Sequence, residues 1–204
     1  MLVKLYNDNP NPKTLQQVVD CLKKGGLVIY PPDSVYALGC DIHNKAAIDK
    51  VARIKGIKAE KADFSFVFYD LSHISEYTQQ FDSSVFKLLK RNLPGPFTFI
   101  LPANKTIAKL FKNKKKTLGI RVPDNTICRE MVKLLGSPII STSIYDEDDV
   151  IEYTTDPELI HEKYEDLVDI VIDGGYGNNE ASTVVDLSEG YPEIIRQGIG
   201  ELLD

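Results

Sequence analysis

Two spacings of apolar residues alternate along the chain. Over residues 13–24, Leu15, Val18, Val19 and Leu22 fall at i, i+3, i+4 and i+7, one face of a helix that Gly25-Gly26 stops. Leu27–Tyr30 follows as a short buried strand running into Pro31-Pro32. Asn44 is placed to cap a second helix carrying Ile48, Val51 and Ala52, which ends near Gly56. Phe64–Phe68 mixes aromatic and β-branched residues as a strand does. Val85, Leu88 and Leu89 mark a helix ended by Leu93-Pro94-Gly95-Pro96, and Phe97–Leu101 is again extended.

The second half keeps the rhythm. A short helix around Ile107, Leu110 and Phe111 precedes a strand over Leu118–Val122. Ile127, Met131, Leu134 and Leu135 share a helical face, with Gly136 and Pro138 just beyond it. Ile139-Ile140 leads into Ser141-Thr142-Ser143, and Leu167–Ile172, Thr183–Leu187 and Glu193–Arg196 read as further strands. There is no internal repeat and no linker long enough to divide the chain. Helices and strands that mix in this way predict one α/β domain over residues 1–204, with a twisted mixed sheet flanked by helices.

Composition narrows the class. The 204 residues are 43% hydrophobic and 26% charged, enough to bury a core as one large domain. No apolar run approaches the roughly 20 residues that cross a bilayer, the first residues lack signal-peptide features, and Cys21, Cys40 and Cys128 form no close pair. A cytoplasmic protein with no membrane partner is expected. The net charge of −6 is an average of unlike parts. Residues 50–121 hold 15 Lys+Arg against 5 Asp+Glu, whereas residues 141–170 hold 11 Asp+Glu against one Lys. An anionic ligand therefore remains compatible with the basic part.

Several chemistries are unsupported: no P-loop, no dinucleotide fingerprint after the first strand and no nucleophile elbow. His43, His73 and His161 lack metal-ligand spacing, so no protein metal site is expected. Cys40, with no paired His, reads as a small core residue. What remains is a set of hydroxyls and cations at turns and strand ends: Ser34 and Tyr36, Lys55, Lys58 and Lys61, Arg121, Ser141-Thr142-Ser143, and Arg196. An Arg in an apolar strand needs a partner, and such groups hold phosphates or carboxylates where no P-loop exists.

The order of these segments is familiar. Tyr30-Pro31-Pro32-Asp33-Ser34-Val35-Tyr36-Ala37-Leu38-Gly39-Cys40-Asp41 resembles the opening motif of the YrdC/YciO family, the threonylcarbamoyl-AMP synthase superfamily. The match continues through Ile54-Lys55-Gly56, Pro94-Gly95-Pro96-Phe97-Thr98 and Arg121-Val122-Pro123-Asp124. It then runs through Ser141-Thr142-Ser143, Ser182-Thr183-Val184-Val185-Asp186 and Arg196-Gln197-Gly198, covering about residues 12–200. The resemblance implies a sheet around a deep basic cavity and a nucleotidyltransferase joining L-threonine, bicarbonate and ATP into threonylcarbamoyl-AMP, with release of pyrophosphate. The product serves tRNA modification, and Mg²⁺ comes with the triphosphate. By the same resemblance Ser34, Tyr36, Arg121 and Ser182 face the threonine end. Lys55, Lys58, Thr98, Ser141, Ser143 and Arg196 face the nucleotide, and Lys55 and Arg121 carry the catalytic charge.

The chain also departs from the pattern. Pro32 replaces a Thr, Ile57 stands where the family has an Arg, and Tyr145 replaces an Asn directly before Asp146-Glu147-Asp148-Asp149. These losses are similar to those of the YciO branch, with relaxed catalytic motifs. The alternative they leave is a weakly catalytic or non-catalytic relative that binds tRNA or double-stranded RNA, with Lys112-Asn113-Lys114-Lys115-Lys116 as a phosphate-contacting edge.

Overall fold

Local signals set the elements. In the computed structural model, which describes residues 1–59, 62–111, 116–144 and 151–203, the Asn11 side chain accepts from the N–H groups of Lys13 and Thr14 and starts α1 (Pro12–Lys23). Asn44 does the same for α2 (Lys45–Ile54), and Asn125 for α5 (Thr126–Leu135), which ends on left-handed Gly136. The remaining helices are α3 (Ser83–Asn92), α4 (Lys105–Phe111), α6 (Glu152–Thr155) and α7 (Pro157–Tyr164). A 3₁₀ turn spans Ile74–Glu76. The strands are β1 (Leu2–Lys4), β2 (Val28–Tyr30), β3 (Ala37–Asp41), β4 (Ser65–Val67), β5 (Phe97–Pro102), β6 (Thr117–Arg121), β7 (Ile139–Ser143), β8 (Ile170–Asp173), β9 (Thr183–Asp186) and β10 (Glu193–Arg196).

The ten strands found among the described residues join one open mixed sheet in the order β1-β8-β2-β3-β7-β4-β6-β5-β9-β10. Four pairings are parallel (β1/β8, β2/β8, β4/β6, β5/β9) and five antiparallel (β2/β3, β3/β7, β4/β7, β5/β6, β9/β10). First and last segments of the chain both lie in this sheet, so the fold is a single α/β domain.

The two faces are unequally covered. On one face Leu38, Phe66, Phe99, Ile120, Ile140 and Val185 pack under Val51 of α2, Leu89 of α3, Ile107 of α4 and Ile160 of α7. On the other, Val28, Tyr30, Ala37, Val67, Ile139, Ile170 and Ile172 pack under α1 and α5. That second layer stops at β4. Among the described residues, no helix packs over the side chains on the same face farther along the sheet, from β6 to β10. Full burial of a side chain such as Phe99 or Ile120, both 0% exposed, contributes roughly 1.5–3 kcal/mol each.

The expected helices and strands form, with corrections at their edges. The strand expected over Leu167–Ile172 begins at Ile170, because Leu167 and Val168 close a turn onto the Tyr164 carbonyl. β1, β3, α6, α7 and the 3₁₀ turn were not anticipated. β3 is buried on both faces and reads Ala-Leu-Gly-Cys-Asp, so it shows no alternation. Cys40 is fully buried there, and burial pushes its thiol up to about 12.

Candidate functional site

Strand alternation builds a polar floor on the uncovered half-face. Phe66, Phe99 and Ile120 point into the core, so Ser65, Thr98, Ile100 and Gly119 point the other way. Register aligns them across strands: Ser141 opposite Ser65, Ser65 opposite Gly119, Gly119 opposite Ile100, and Thr98 opposite Val184. These residues floor a cleft of about 300 Å³, walled by Ser34, Val35, Asp63, Phe64, Thr117, Arg121, Thr142, Ser143, Ala181, Ser182 and Arg196.

Arg196 reaches this face through a β-bulge. Ile194 opposes Val185 and Arg196 opposes Val184, leaving Ile195 as an extra residue. In a regular ladder Arg196 would fall opposite Thr183, whose side chain is fully buried on the core side. Its guanidinium donates to the Ser182 carbonyl at 2.7 Å (Nη2) and 3.3 Å (Nε), and Ser182 Oγ lies 2.9 Å from Thr98 Oγ1. Burial, and then the nearby Arg121, lowers the pKa of Arg196.

Arg121 ends β6 with its side chain 8% exposed. Nη2 donates to Asp33 Oδ1 at 2.8 Å and to Ser34 Oγ at 3.0 Å, while Asp33 Oδ2 accepts from the Asp124 N–H at 2.8 Å. Burial pushes the Asp33 carboxyl up, and Arg121 pulls it back. Arg121 Nε is buried and has no hydrogen-bond partner among the described residues. An unsatisfied buried donor of this kind costs about 1–3 kcal/mol. On the third side, Tyr30 Oη donates to Ser141 Oγ at 2.6 Å, and Ser65 Oγ donates to the Ser141 carbonyl at 3.2 Å. The site offers converging N–H and O–H donors from five strands and the β2–β3 hairpin.

A Sua5/YciO/YrdC family model, described as telomere recombination, matches residues 20–198. The chain belongs to this family. It is 38% identical to YciO of Escherichia coli strain K12 over 200 residues, 97% of this chain and 95% of that one. The crystal structure of E. coli YciO has a TM-score of 0.88 to this fold at 37% identity, covering 100% of this chain and 99% of that one. A threonylcarbamoyl-AMP synthase from Vibrio vulnificus strain YJ016 is 32% identical over 131 residues, 63% of this chain and 70% of that protein. P. abyssi Sua5, crystallised with L-threonine, shares the fold with a TM-score of 0.85 at 22% identity, covering 97% of this chain and 57% of its own.

Within this Sua5/YciO/YrdC fold the structure gathers Ser34, Thr98, Arg121, Ser141, Ser143, Ser182 and Arg196 around the one cleft. Three expected residues lie elsewhere. Tyr36 is fully buried, its hydroxyl donating to the Gly175 carbonyl at 2.8 Å and accepting from the Gly174 N–H at 3.3 Å. Lys55 is the C-cap of α2 and is not among the residues lining the cleft. Lys58 is exposed, beside Asp49, Arg53 and Gly56 on a shallow surface of its own. Lys61, Lys112–Lys115 and Tyr145–Val150 lie outside the described residues. The basic cavity expected from residues 50–121 is therefore narrower in its charge: among the described lining residues the cations are Arg121 and Arg196, against Asp63.

Sequence reading missed Ser65 and Gly119. The run Ser65-Phe66-Val67-Phe68 held a usable signal, since two inward Phe residues place Ser65 outward. Gly119 had none, because its value lies in the space above it: an added Cβ would meet Thr98 Cγ2 at 3.0 Å.

Proposed function

We propose that the cleft holds an amino-acid carbamate beside Arg121 and the phosphates of ATP beside Arg196, and that the protein joins them in the manner of a threonylcarbamoyl-AMP synthase. The observation that carries this reading is the convergence of two guanidinium groups, from β6 and from bulged β10, on one hydroxyl-lined cleft. Kinship with the V. vulnificus synthase supports the reaction, and the complex of P. abyssi Sua5 with L-threonine supports that amino acid as the substrate.

In this reaction the threonine amine takes up bicarbonate with loss of water. A carbamate oxygen then attacks the α-phosphorus of ATP and pyrophosphate leaves. No enzyme nucleophile is needed; positioning two anions in line and neutralising developing charge suffice. Arg121 is already matched by Asp33, so it brings little net charge to the cleft and holds Ser34 in place at its wall. Arg196 donates to backbone and hydroxyl oxygens of Ser182, so its positive charge remains for phosphate. Mg²⁺ enters with the triphosphate; among the described residues no cluster of three or more His, Cys, Asp or Glu offers it a separate seat.

The test is pyrophosphate release by the purified full chain. Release is expected to require ATP, bicarbonate and L-threonine together, and to fall on the order of a hundredfold in Arg196→Ala. Absence of bicarbonate-dependent release with any proteinogenic amino acid overturns the proposal.

A further inference from the structure

Tyr30 lies on β2, two strands away from β7, yet its hydroxyl meets Ser141 on β7. The ring crosses β3 above Gly39, which stands opposite Ser141 in the β3–β7 register. A Cβ at position 39 would come within 2.9 Å of Tyr30 Cε1 and 2.7 Å of Ile139 Cγ2, so the absence of a side chain there is what opens the path. Gly39 has no left-handed φ to explain it.

The direction of the Tyr30–Ser141 bond follows from acidity. A phenol is a stronger donor and weaker acceptor than an alkyl alcohol, and full burial raises the Tyr30 pKa further above its ordinary value, keeping the proton in place. At 2.6 Å the Ser141 oxygen therefore accepts. Its own O–H must then point elsewhere, and among the described residues no protein acceptor takes it. Ser141 lines the cleft.

We propose that Tyr30 is a positioning residue: by occupying the acceptor side of Ser141 across Gly39, it presets the Ser141 hydroxyl as a donor into the cleft. The inference rests on reading the cleft as an anion site. It adds a residue that never touches the ligand and fixes the polarity of one that does. Without Tyr30 the serine rotor can turn its proton away and present a lone pair to the anion. The preset state excludes that mismatch.

The experiment is a double-mutant cycle with two probes, inorganic pyrophosphate and ATP, each measured by calorimetry at fixed ionic strength. Tyr30→Phe is expected to weaken both by about tenfold, and Ser141→Ala by at least as much. Tyr30→Phe in the Ser141→Ala background is expected to add less than about twofold, because the donor it presets is gone. Ser141→Thr, which keeps the hydroxyl, restores the dependence on Tyr30. Gly39→Ala, checked for folding by its melting curve, reproduces the Tyr30→Phe loss by displacing the ring. Additive effects, or an unchanged affinity in Tyr30→Phe, overturn the inference while leaving the anion site intact. Coupling seen with pyrophosphate but no binding of ATP overturns the nucleotide reading alone. Failure of the wild-type chain to bind either probe overturns both.

Discussion

The segment carrying Arg196 continues into a C-terminal tail held down by two separate fastenings, and removing one of them tests how the cleft is isolated from the chain end. Asn92, at the last turn of α3 and 5% exposed, accepts from the Leu203 N–H at 2.9 Å and donates to the Leu203 carbonyl at 2.8 Å. Closer to the cleft, Thr183 Oγ1 donates to the Gly200 carbonyl at 2.6 Å and accepts from the Gly198 N–H at 3.0 Å. The Ile199 N–H there donates to the Ala181 carbonyl. Asn92→Ala removes the two outer bonds, and with them the bond that Asn92 Nδ2 donates to the Leu88 carbonyl at 2.9 Å. Each of the three contributes about 0.5–1.5 kcal/mol, so the loss is about 1.5–4.5 kcal/mol. Ala is the better helix former by up to about 0.7 kcal/mol, which leaves a net cost of about 1–4 kcal/mol.

For a domain of this size that cost corresponds to a fall in melting temperature of about 2–16 °C. Urea unfolding gives the same quantity independently. Hydrogen exchange supplies the localisation: the Leu203 amide is expected to exchange at least tenfold faster, while the Ile199 and Gly198 amides keep their protection. Arg196 lies beyond the inner fastening, so anion affinity should change by less than about twofold. A melting shift below about 1 °C, or exchange that speeds up through Ile199, refutes the division of the tail into two independently held parts.

Two further outcomes follow from single positions. Gly119→Val places a branched side chain on the cleft floor where the backbone needs no left-handed φ and Thr98 Cγ2 stands 3.0 Å from the new Cβ. Strand propensity favours Val, so the melting temperature should hold or rise while pyrophosphate and ATP affinity fall more than about tenfold; wild-type affinity would show that the floor is not the binding surface. The thiols should be inert at pH 8: burial pushes Cys40 up to about 12 and Cys21 up to about 11, and it raises buried Cys128 as well. Only roughly a thousandth of Cys21 is thiolate there. Stoichiometric labelling by a disulfide reagent within minutes in native buffer would contradict that, whereas all three should react in urea.

Much of this architecture could be read from residue order. Helices α1, α2 and α5 were legible because an apolar face at i, i+3, i+4, a side-chain cap and a closing Gly or turn are local events. β5 was legible as Phe-Thr-Phe-Ile-Leu, whose alternation also marks Thr98 and Ile100 as one face. Sheet order was not. Nothing local says that β8, late in the chain, lies between β1 and β2, or that β9 adds beyond β5. The same limit governs the site. Ser34, Thr98, Arg121, Ser141, Ser143, Ser182 and Arg196 were identified through motifs, but Tyr36, with the same motif behind it, is buried against the Gly174-Gly175 turn. The roles of Ser65, Gly119 and Gly39 exist only across strands, and the bulge at Ile195 that aims Arg196 is a property of the β9–β10 register.

The asymmetry of the sheet explains why the site is where it is. A helix can cover a sheet face only if the side chains beneath it are apolar; Val28, Ile139, Val67 and Ile172 meet that requirement under α1 and α5. From Ser65 of β4 onward the same face carries Ser65, Gly119, Thr98 and the end of Arg121, groups whose burial without partners would cost more than packing returns. The helical layer therefore ends where the polar floor begins, and the opposite face, apolar from β3 to β9, stays covered and keeps the floor rigid. Charge contributes less than the composition suggested. The basic stretch 50–121 delivers only Arg121 to the lining among the described residues, and Asp33 already balances it. On the proposed reading, recognition in this cleft would rest on N–H and O–H groups plus the charge of Arg196, and the geometry that fixes those donors, from Asp33 behind Arg121 to Tyr30 behind Ser141, would be as much part of the site as the groups that face the ligand.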